Sequence, residues 1–231
     1  MHIQVYELIK GAKEAKGICV IIDVFRAFSL EACLFHQGAE CVYPLASLEE
    51  AYRMKKEDPD LLLVGERGGK KCEGFDYGNS PSAFEGIDLS GRKIVHTTSA
   101  GTQGIENAVR ADEILTGSFL NAKAIARYIK MKDPEEVSLV CMGNAGKTSA
   151  KEDLLCAEYI KGLLEGKEDT KIEEKLLALK DTDGKKFFDE KQKEVFPEKD
   201  FWICIRHDLY DFVILCKEEE GRKVNRRVNV P

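Results

Sequence analysis

Long apolar runs are missing from this chain of 231 residues. None is longer than Ile18 to Ile22, which stops at Asp23, far short of the roughly 20 residues a membrane-spanning helix needs, and Met1-His2-Ile3-Gln4 is too polar to open a secretory leader. No membrane association is expected, and the expected location is the cytoplasm. An excess of positive charge is missing too. Lys and Arg number 35 against 41 Asp and Glu, a formal net charge of -6, so no global field attracts nucleic acid or an anionic membrane. Any anionic ligand must be held by local groups. The 8 cysteines (Cys19, Cys33, Cys41, Cys72, Cys141, Cys156, Cys204 and Cys216) include no C-x-x-C pair, and buried reduced thiols are expected. His2, His36 and His96 lack the spacing of a metal pair, which argues against a zinc hydrolase. No repeat or low-complexity linker marks a boundary, so residues 1–231 read as one domain or two small lobes, long enough to bury roughly 70% of the unfolded surface.

What is present is an alternation. Short β-rich runs fall at Gly17 to Asp23, Cys41 to Leu45, Leu61 to Val64, Lys93 to His96, Glu113 to Thr116, Val137 to Met142, Phe201 to Ile205 and Phe212 to Cys216. Helical spacing of apolar residues falls between them, at Arg26 to Gln37, Ser47 to Glu57, Gly101 to Ala111, Asn121 to Met131 and Ser149 to Leu164. The pattern predicts an α/β fold. The last two runs are expected to pair as a hairpin across Arg206 to Asp211, which makes the sheet mixed. Ser47-Leu-Glu-Glu50 and Ser149-Ala-Lys-Glu152 both read as capping boxes, giving Glu152 a structural job. From Glu165 to Asp200 dense Lys, Glu and Asp predict solvated helices over one side of the core, with no chemistry. Arg222 to Arg227 reads as a solvated tail or a subunit contact.

Ligands of open α/β sheets bind beyond the carboxyl ends of the strands. Polar residues gather at just those places: Asp23 and Arg26; Gly65-Glu-Arg-Gly-Gly69; Gly74-Phe-Asp-Tyr-Gly-Asn-Ser-Pro81; His96-Thr-Thr-Ser-Ala-Gly-Thr102; Gly117-Ser118 and Asn121; and Gly143-Asn-Ala-Gly-Lys-Thr-Ser149. Glycines let backbone amides approach an anion, hydroxyls and amides donate to its oxygens, and Arg26 and Arg67 are placed to clamp it. Asp23, Glu66, Asp76 and Asp153 add the hard oxygens that Mg²⁺ prefers.

Familiar phosphate motifs fit poorly. A P-loop ending at Gly146-Lys147-Thr148 requires glycine where Cys141 stands. Asp23-Val-Phe-Arg26 lacks the second aspartate of a D-x-D phosphatase, a C-x5-R thiol-phosphatase loop is not expected, and Arg206-His207-Asp208 reads as a hairpin turn.

Taken together, Ile21-Ile-Asp-Val-Phe-Arg-Ala27, Gly65 to Gly69, Gly74 to Pro81, the Thr97 to Thr102 loop and Glu152-Asp153 resemble the 2-phosphosulfolactate phosphatase (ComB-like) family over roughly residues 1–165, and more loosely beyond. The resemblance implies a three-layer α/β/α fold with a mixed β-sheet. It also implies an Mg²⁺-dependent phosphatase that converts 2-phosphosulfolactate to sulfolactate in coenzyme M biosynthesis, and suggests a homodimer. Two departures fall near the presumed ligand: Phe28-Ser29-Leu30 where the family continues with threonines, and Ala100 in place of asparagine. Lost hydrogen-bond donors bear on substrate choice, so a related phosphorylated hydroxy acid stays open as the substrate.

On this reading Asp23, Arg26 and Arg67 are the catalytic candidates, and Asp23, Glu66 and Asp153 lie near Mg²⁺. Thr97, Thr98, Ser99, Gly101 and Thr102 hold phosphoryl oxygens, while Asn79, Ser80, Asn121 and Asn144 orient the rest of a small anionic phosphorylated substrate. Attack by a metal-bound hydroxide and a phosphoenzyme formed on Asp23 both remain open. The alternative is a non-catalytic phosphometabolite-binding protein on the same fold.

Overall fold

The computed structural model describes residues 1–167 and 169–231; Glu168, inside the stretch read as solvated helices, lies outside the described residues. Strand β2 (Gly17–Ile22) is buried along its whole length, as expected for a strand covered by helices on both faces. It lies between β8 (Glu136–Cys141) and β7 (Ala111–Gly117), parallel to both, and β1 (His2–Glu7) adds outside β8, also parallel. A second parallel group runs β3 (Cys41–Pro44), β6 (Lys93–Thr97), β4 (Leu62–Arg67), with the two-residue β5 (Lys70–Lys71) turned back on β4.

Side chains of a strand alternate between faces, and the core shows it. Ile18, Val20 and Ile22 pack with α5 (Ala122–Lys132) and α6 (Lys151–Leu164), whereas Cys19 and Ile21 pack with Ala12 of α1 (Leu8–Glu14) and Ile105 of α4 (Gly101–Asn107). In the second group Ile94 meets α2 (Ala27–His36), while Val95 clusters with Ala51 and Met54 of α3 (Leu48–Glu57). This is a three-layer α/β/α arrangement. Ile172 and Leu176 of α7 (Ile172–Ala178) and Phe201 and Cys204 of α8 (Glu198–Cys204) extend the α5–α6 layer.

The hairpin β9 (Phe212–Glu219) and β10 (Arg222–Asn229) joins the groups. β9 pairs antiparallel with β7, and β10 pairs antiparallel with β3 through the single pair Asn225–Val42. The described strands form one mixed sheet in the order β1-β8-β2-β7-β9-β10-β3-β6-β4-β5. Three antiparallel steps separate the two parallel groups, so they run in opposite senses along it.

Several expectations are corrected. Phe201 to Ile205 is helical, because a five-residue apolar run does not distinguish strand from helix; Glu198 and Asp200 in the first turn favour a helix start, and Phe201 and Cys204 share its buried side. The hairpin therefore does not turn at Arg206 to Asp211 but at Glu220-Gly221, and Arg222 to Arg227 is not a tail but part of β10. The spacing C-x5-R does occur, at Cys216 and Arg222, but the two lie on that hairpin, and burial pushes the Cys216 thiol up to about 12, the reverse of a phosphatase thiolate. Helix α4 ends at Asn107, before the expected Ala111. Ser47 caps α3 by accepting from the Glu50 amide at 3.3 Å, but α6 starts from Ala150 with no side-chain cap. All eight cysteines are free, seven of them buried, and no helix among the described residues is long and apolar enough to cross a membrane.

Gly104 in the middle of α4 allows that helix to lie on the sheet: a Cβ there would stand 2.5 Å from Sδ of Met142 and 2.6 Å from Cγ2 of Ile21. Gly104→Ala is therefore expected to destabilise the protein by about 1–3 kcal/mol, despite alanine's better helix propensity. Urea unfolding measures it, and a gain in stability would show that the helix can lift off the sheet without cost.

Candidate active site

Each parallel group ends in a carboxylate that ties two strand ends together. Asp153, at the start of α6, accepts the Val24 amide on Oδ1 at 2.8 Å and the Gly143 amide on Oδ2 at 2.7 Å, joining the chain beyond β2 to the chain beyond β8. Glu66, at the end of β4, accepts the Ser99 amide on Oε1 at 2.6 Å, and on Oε2 the Gly69 amide at 2.6 Å and the Ser99 hydroxyl at 3.1 Å. The strand ends so tied line one cavity of about 190 Å³. Asp23 and Arg26 follow β2, Gly143 and Asn144 follow β8, Glu66 lies at the end of β4 with Gly68 and Gly69 beyond it, and Ser99 and Ala100 follow β6. The two parallel groups thus face each other across it by their carboxyl ends.

Asp23 is one of the two acids that line the cavity. Its Oδ1 accepts the Ala27 amide at 3.2 Å at the start of α2. Gly101 opens α4 beside it: a Cβ there would be 3.1 Å from Asp23 Oδ2 and 3.0 Å from Phe28. Burial pushes the Asp23 carboxyl up to about 6, with the nearby Glu66 charge adding to the rise. Glu152 is pushed up to about 7, mainly by burial and further by Asp183 and Asp23. Burial raises Asp153 well above the carboxylate range, and Glu152 and Asp23 add to it in spite of its two amide donors. Three mutually repelling acids therefore lie together under little solvent.

Arg26 is buried, and its Nη1 donates to Oδ2 of Asp200 at 2.7 Å. Asp200 Oδ1 accepts from the Ser80 hydroxyl and the Ser82 amide, both at 2.9 Å, so one carboxylate of α8 fixes the loop beyond β2 and the Asn79-Ser80-Pro81 segment together. Asn79 lines the cavity, and its Oδ1 is 3.1 Å from Nε2 of the buried His96, whose Nδ1 is 2.9 Å from Oε1 of Glu31.

Of the residues expected at the site, Asp23, Arg26, Glu66, Asn79, Ser99 and Asn144 line the cavity. Others stand behind it. Arg67 spends its guanidinium on the carbonyls of Glu66 and Ala46 and on the Thr97 hydroxyl. Thr98 and Thr102 bond each other's backbone across the first turn of α4, Ser80 serves Asp200, and Asn121 accepts the Ser118 amide. Asp76 accepts the Leu63 amide, away from the cavity. The altered Ser29 donates to the Val24 carbonyl inside α2, and Ala100 leaves α4 without a side-chain cap.

The stretch read as free of chemistry supplies Lys186 and Phe196 to the cavity wall and the buried Asp200 behind it. The charge-rich pattern hides them. Glu152, read as a capping glutamate, is instead buried with Oε2 unpartnered among the described residues.

Residues 3–219 match the family model described as 2-phosphosulpholactate phosphatase. The chain belongs to this family. A relative in Bacillus subtilis, named probable 2-phosphosulfolactate phosphatase, is 31% identical over 95% of both chains. Relatives of the same name in Thermotoga petrophila and Carboxydothermus hydrogenoformans are 42% and 41% identical, over 62% and 68% of this chain. The chain spans 61% of the length of the Thermotoga relative and 64% of the Carboxydothermus one.

Asp200 gives the site its rigidity, and removing one partner of a buried pair strands the other charge. Asp200→Ala is expected to lower unfolding stability by about 3–5 kcal/mol in urea titration. A loss below about 1 kcal/mol would mean that Phe196 and the Gly69 carbonyl suffice to hold Arg26.

Proposed function

We propose that the protein hydrolyses a small phosphate monoester, 2-phosphosulfolactate or a related phosphorylated hydroxy acid, with Mg²⁺ as cofactor, releasing inorganic phosphate. The observation that carries this reading is the meeting of the family motifs, far apart in sequence, around one small cavity at the strand ends. At about 190 Å³ the cavity is below the roughly 300–1,000 Å³ of pockets for drug-sized ligands, which favours a substrate of few atoms over a nucleotide or a phosphoprotein.

The acids support a divalent cation. Asp23, Glu152 and Asp153 are all driven toward protonation, and Glu152 Oε2 has no partner among the described residues, so a nearby cation would relieve both costs. Among the described residues, however, no three acidic, histidine or cysteine side chains converge to cage an ion, and Asp23, Glu66 and Asp153 make no such group. That suits Mg²⁺, which takes one or two protein carboxylates and completes its shell with water and phosphate oxygens. When bound, Mg²⁺ supplies neutralisation of phosphoryl charge and an acidified water.

The residues do the rest. Asp23 Oδ2, which accepts no hydrogen bond from the described residues, is the group available to attack phosphorus or to take a proton from water. The side-chain amides of Asn79 and Asn144 orient the phosphoryl oxygens at the wall. The non-catalytic reading has one observation in its favour: both arginines are committed to internal partners.

Phosphate release from 2-phosphosulfolactate and from small phosphorylated hydroxy acids, with Mg²⁺ and with chelator, decides between them. Wild type is expected to turn over only with metal, and Asp23→Asn to lose about 100-fold or more. Tight binding without release would establish the binding protein.

Linkage gives a second test. The folded chain keeps the protons of Asp23 and Glu152 up to about 6 and about 7, whereas the unfolded chain releases them near the ordinary 3.8 and 4.5. This contribution to stability is complete below the lower values and lost as pH rises through the upper ones. Metal-free protein should therefore melt lower at about pH 8 than at about pH 5, and added Mg²⁺ should raise the melting temperature more at the higher pH, where it meets no competing protons. An equal rise at both would argue against metal at these acids.

A further inference from the structure

Four charged side chains line the cavity: Asp23, Glu66, Arg26 and Lys186. The two acids repel any anionic group that a phosphorylated acid carries in addition to its phosphate. Arg26 offers little against them, since Asp200 neutralises it at 2.7 Å and its guanidinium lies against the Phe196 ring at 4.7 Å. Arg67 points its donors at carbonyls and at Thr97. Lys186 alone of the lining cations makes no ion pair with the described residues.

Its position is nonetheless defined. The ammonium lies 5.4 Å from the ring centre of Phe196, 5.6 Å from Phe187 and 5.8 Å from Phe25, distances at which each ring face attracts it without consuming its N–H donors. Lys186 also borders an outer basin of about 880 Å³, shared with Lys180, Lys185, Asp181 and Asp189, so the one side chain lines both spaces. A monoester whose phosphate lies at Asp23 meets in Lys186 the one lining cation without an ion-pair partner among the described residues.

We propose that Lys186 is the specificity-determining residue of the site, its ammonium receiving the carboxylate or sulfonate that the substrate carries besides its phosphate. The assignment rests on the phosphatase reading for its substrate and names the residue that meets the further acidic group. It also accounts for the cavity's charge, the cation and the acids serving opposite ends of one ligand.

The rival role is simple charge balance, since Lys186 also opposes the rise of Asp23 and Glu152. The two differ in substrate dependence. With Mg²⁺ present, kcat and KM are measured for wild type, Lys186→Met and Lys186→Arg on 2-phosphosulfolactate and on isopropyl phosphate, which lacks further acidic groups. The ratio of kcat/KM for the two esters is expected to fall about tenfold or more in Lys186→Met, through KM, and to recover largely in Lys186→Arg. An equal loss on both esters, or an unchanged ratio, overturns the proposal. Calorimetric titration with sulfolactate, which carries the acidic groups but no phosphate, reads the contact without turnover. Binding should weaken about tenfold in Lys186→Met; equal binding, or none by wild type, overturns the assignment. Wild type that binds sulfolactate through Lys186 yet releases no phosphate would remove the hydrolase reading and leave the contact standing.

Discussion

The buried pair of Arg26 and Asp200 is the constraint on which the site depends. Three separate stretches of chain converge on one carboxylate: the loop beyond β2 through Arg26, the segment before Pro81 through Ser80 and Ser82, and α8, which carries the acid itself. Taking both charges out of water is costly and is offset only when the oxygens are fully bonded, which here they are. The pair also decides what Arg26 can do. Fixed against Asp200 and the Phe196 ring, it shapes the wall and the local field, while Lys186 is the lining cation without an ion-pair partner among the described residues.

Asp153 and Glu66 play matching parts on the two sides. Each accepts backbone amides from the ends of neighbouring strands or the loops that follow them, and so holds these loops at a fixed separation. Carboxylates are well suited to this because they accept several donors at once. Such bonds favour the charged form, but at Asp153 burial and two neighbouring acids outweigh them. The site is thus acidic by construction.

Much of this was legible in the sequence, for reasons that differ by element. β2 and β8 are buried on both faces and read as apolar runs, interrupted in β8 by Ser138. The positions just beyond them, Asp23 and Asn144, follow from the strand ends. β1 was not legible, because most of it is exposed at the sheet edge and its residues are mixed. β10 was hidden by its arginines: Arg226 pairs with Glu219 and Arg227 lies over Phe212, so their charges ride on a strand with buried Val224 and Asn225. The role of Asp200 depends on Arg26, Ser80 and Ser82, all more than a hundred residues away, which no local pattern encodes. Arg67 looked like a phosphate clamp for the converse reason, since the carbonyls that occupy it are invisible in a sequence.

The central placement of β9 and β10 has a bearing on how the molecule is assembled. Until residues 212–229 arrive, β7 and β3 are open edges of two separate half-sheets, each presenting unpaired backbone to any neighbouring chain. The hairpin closes both at once, as a keystone closes an arch. Synthesis must therefore carry the chain as far as residue 211 with its two halves still unjoined, and this interval is when the protein is most exposed to wrong pairing with its own copies.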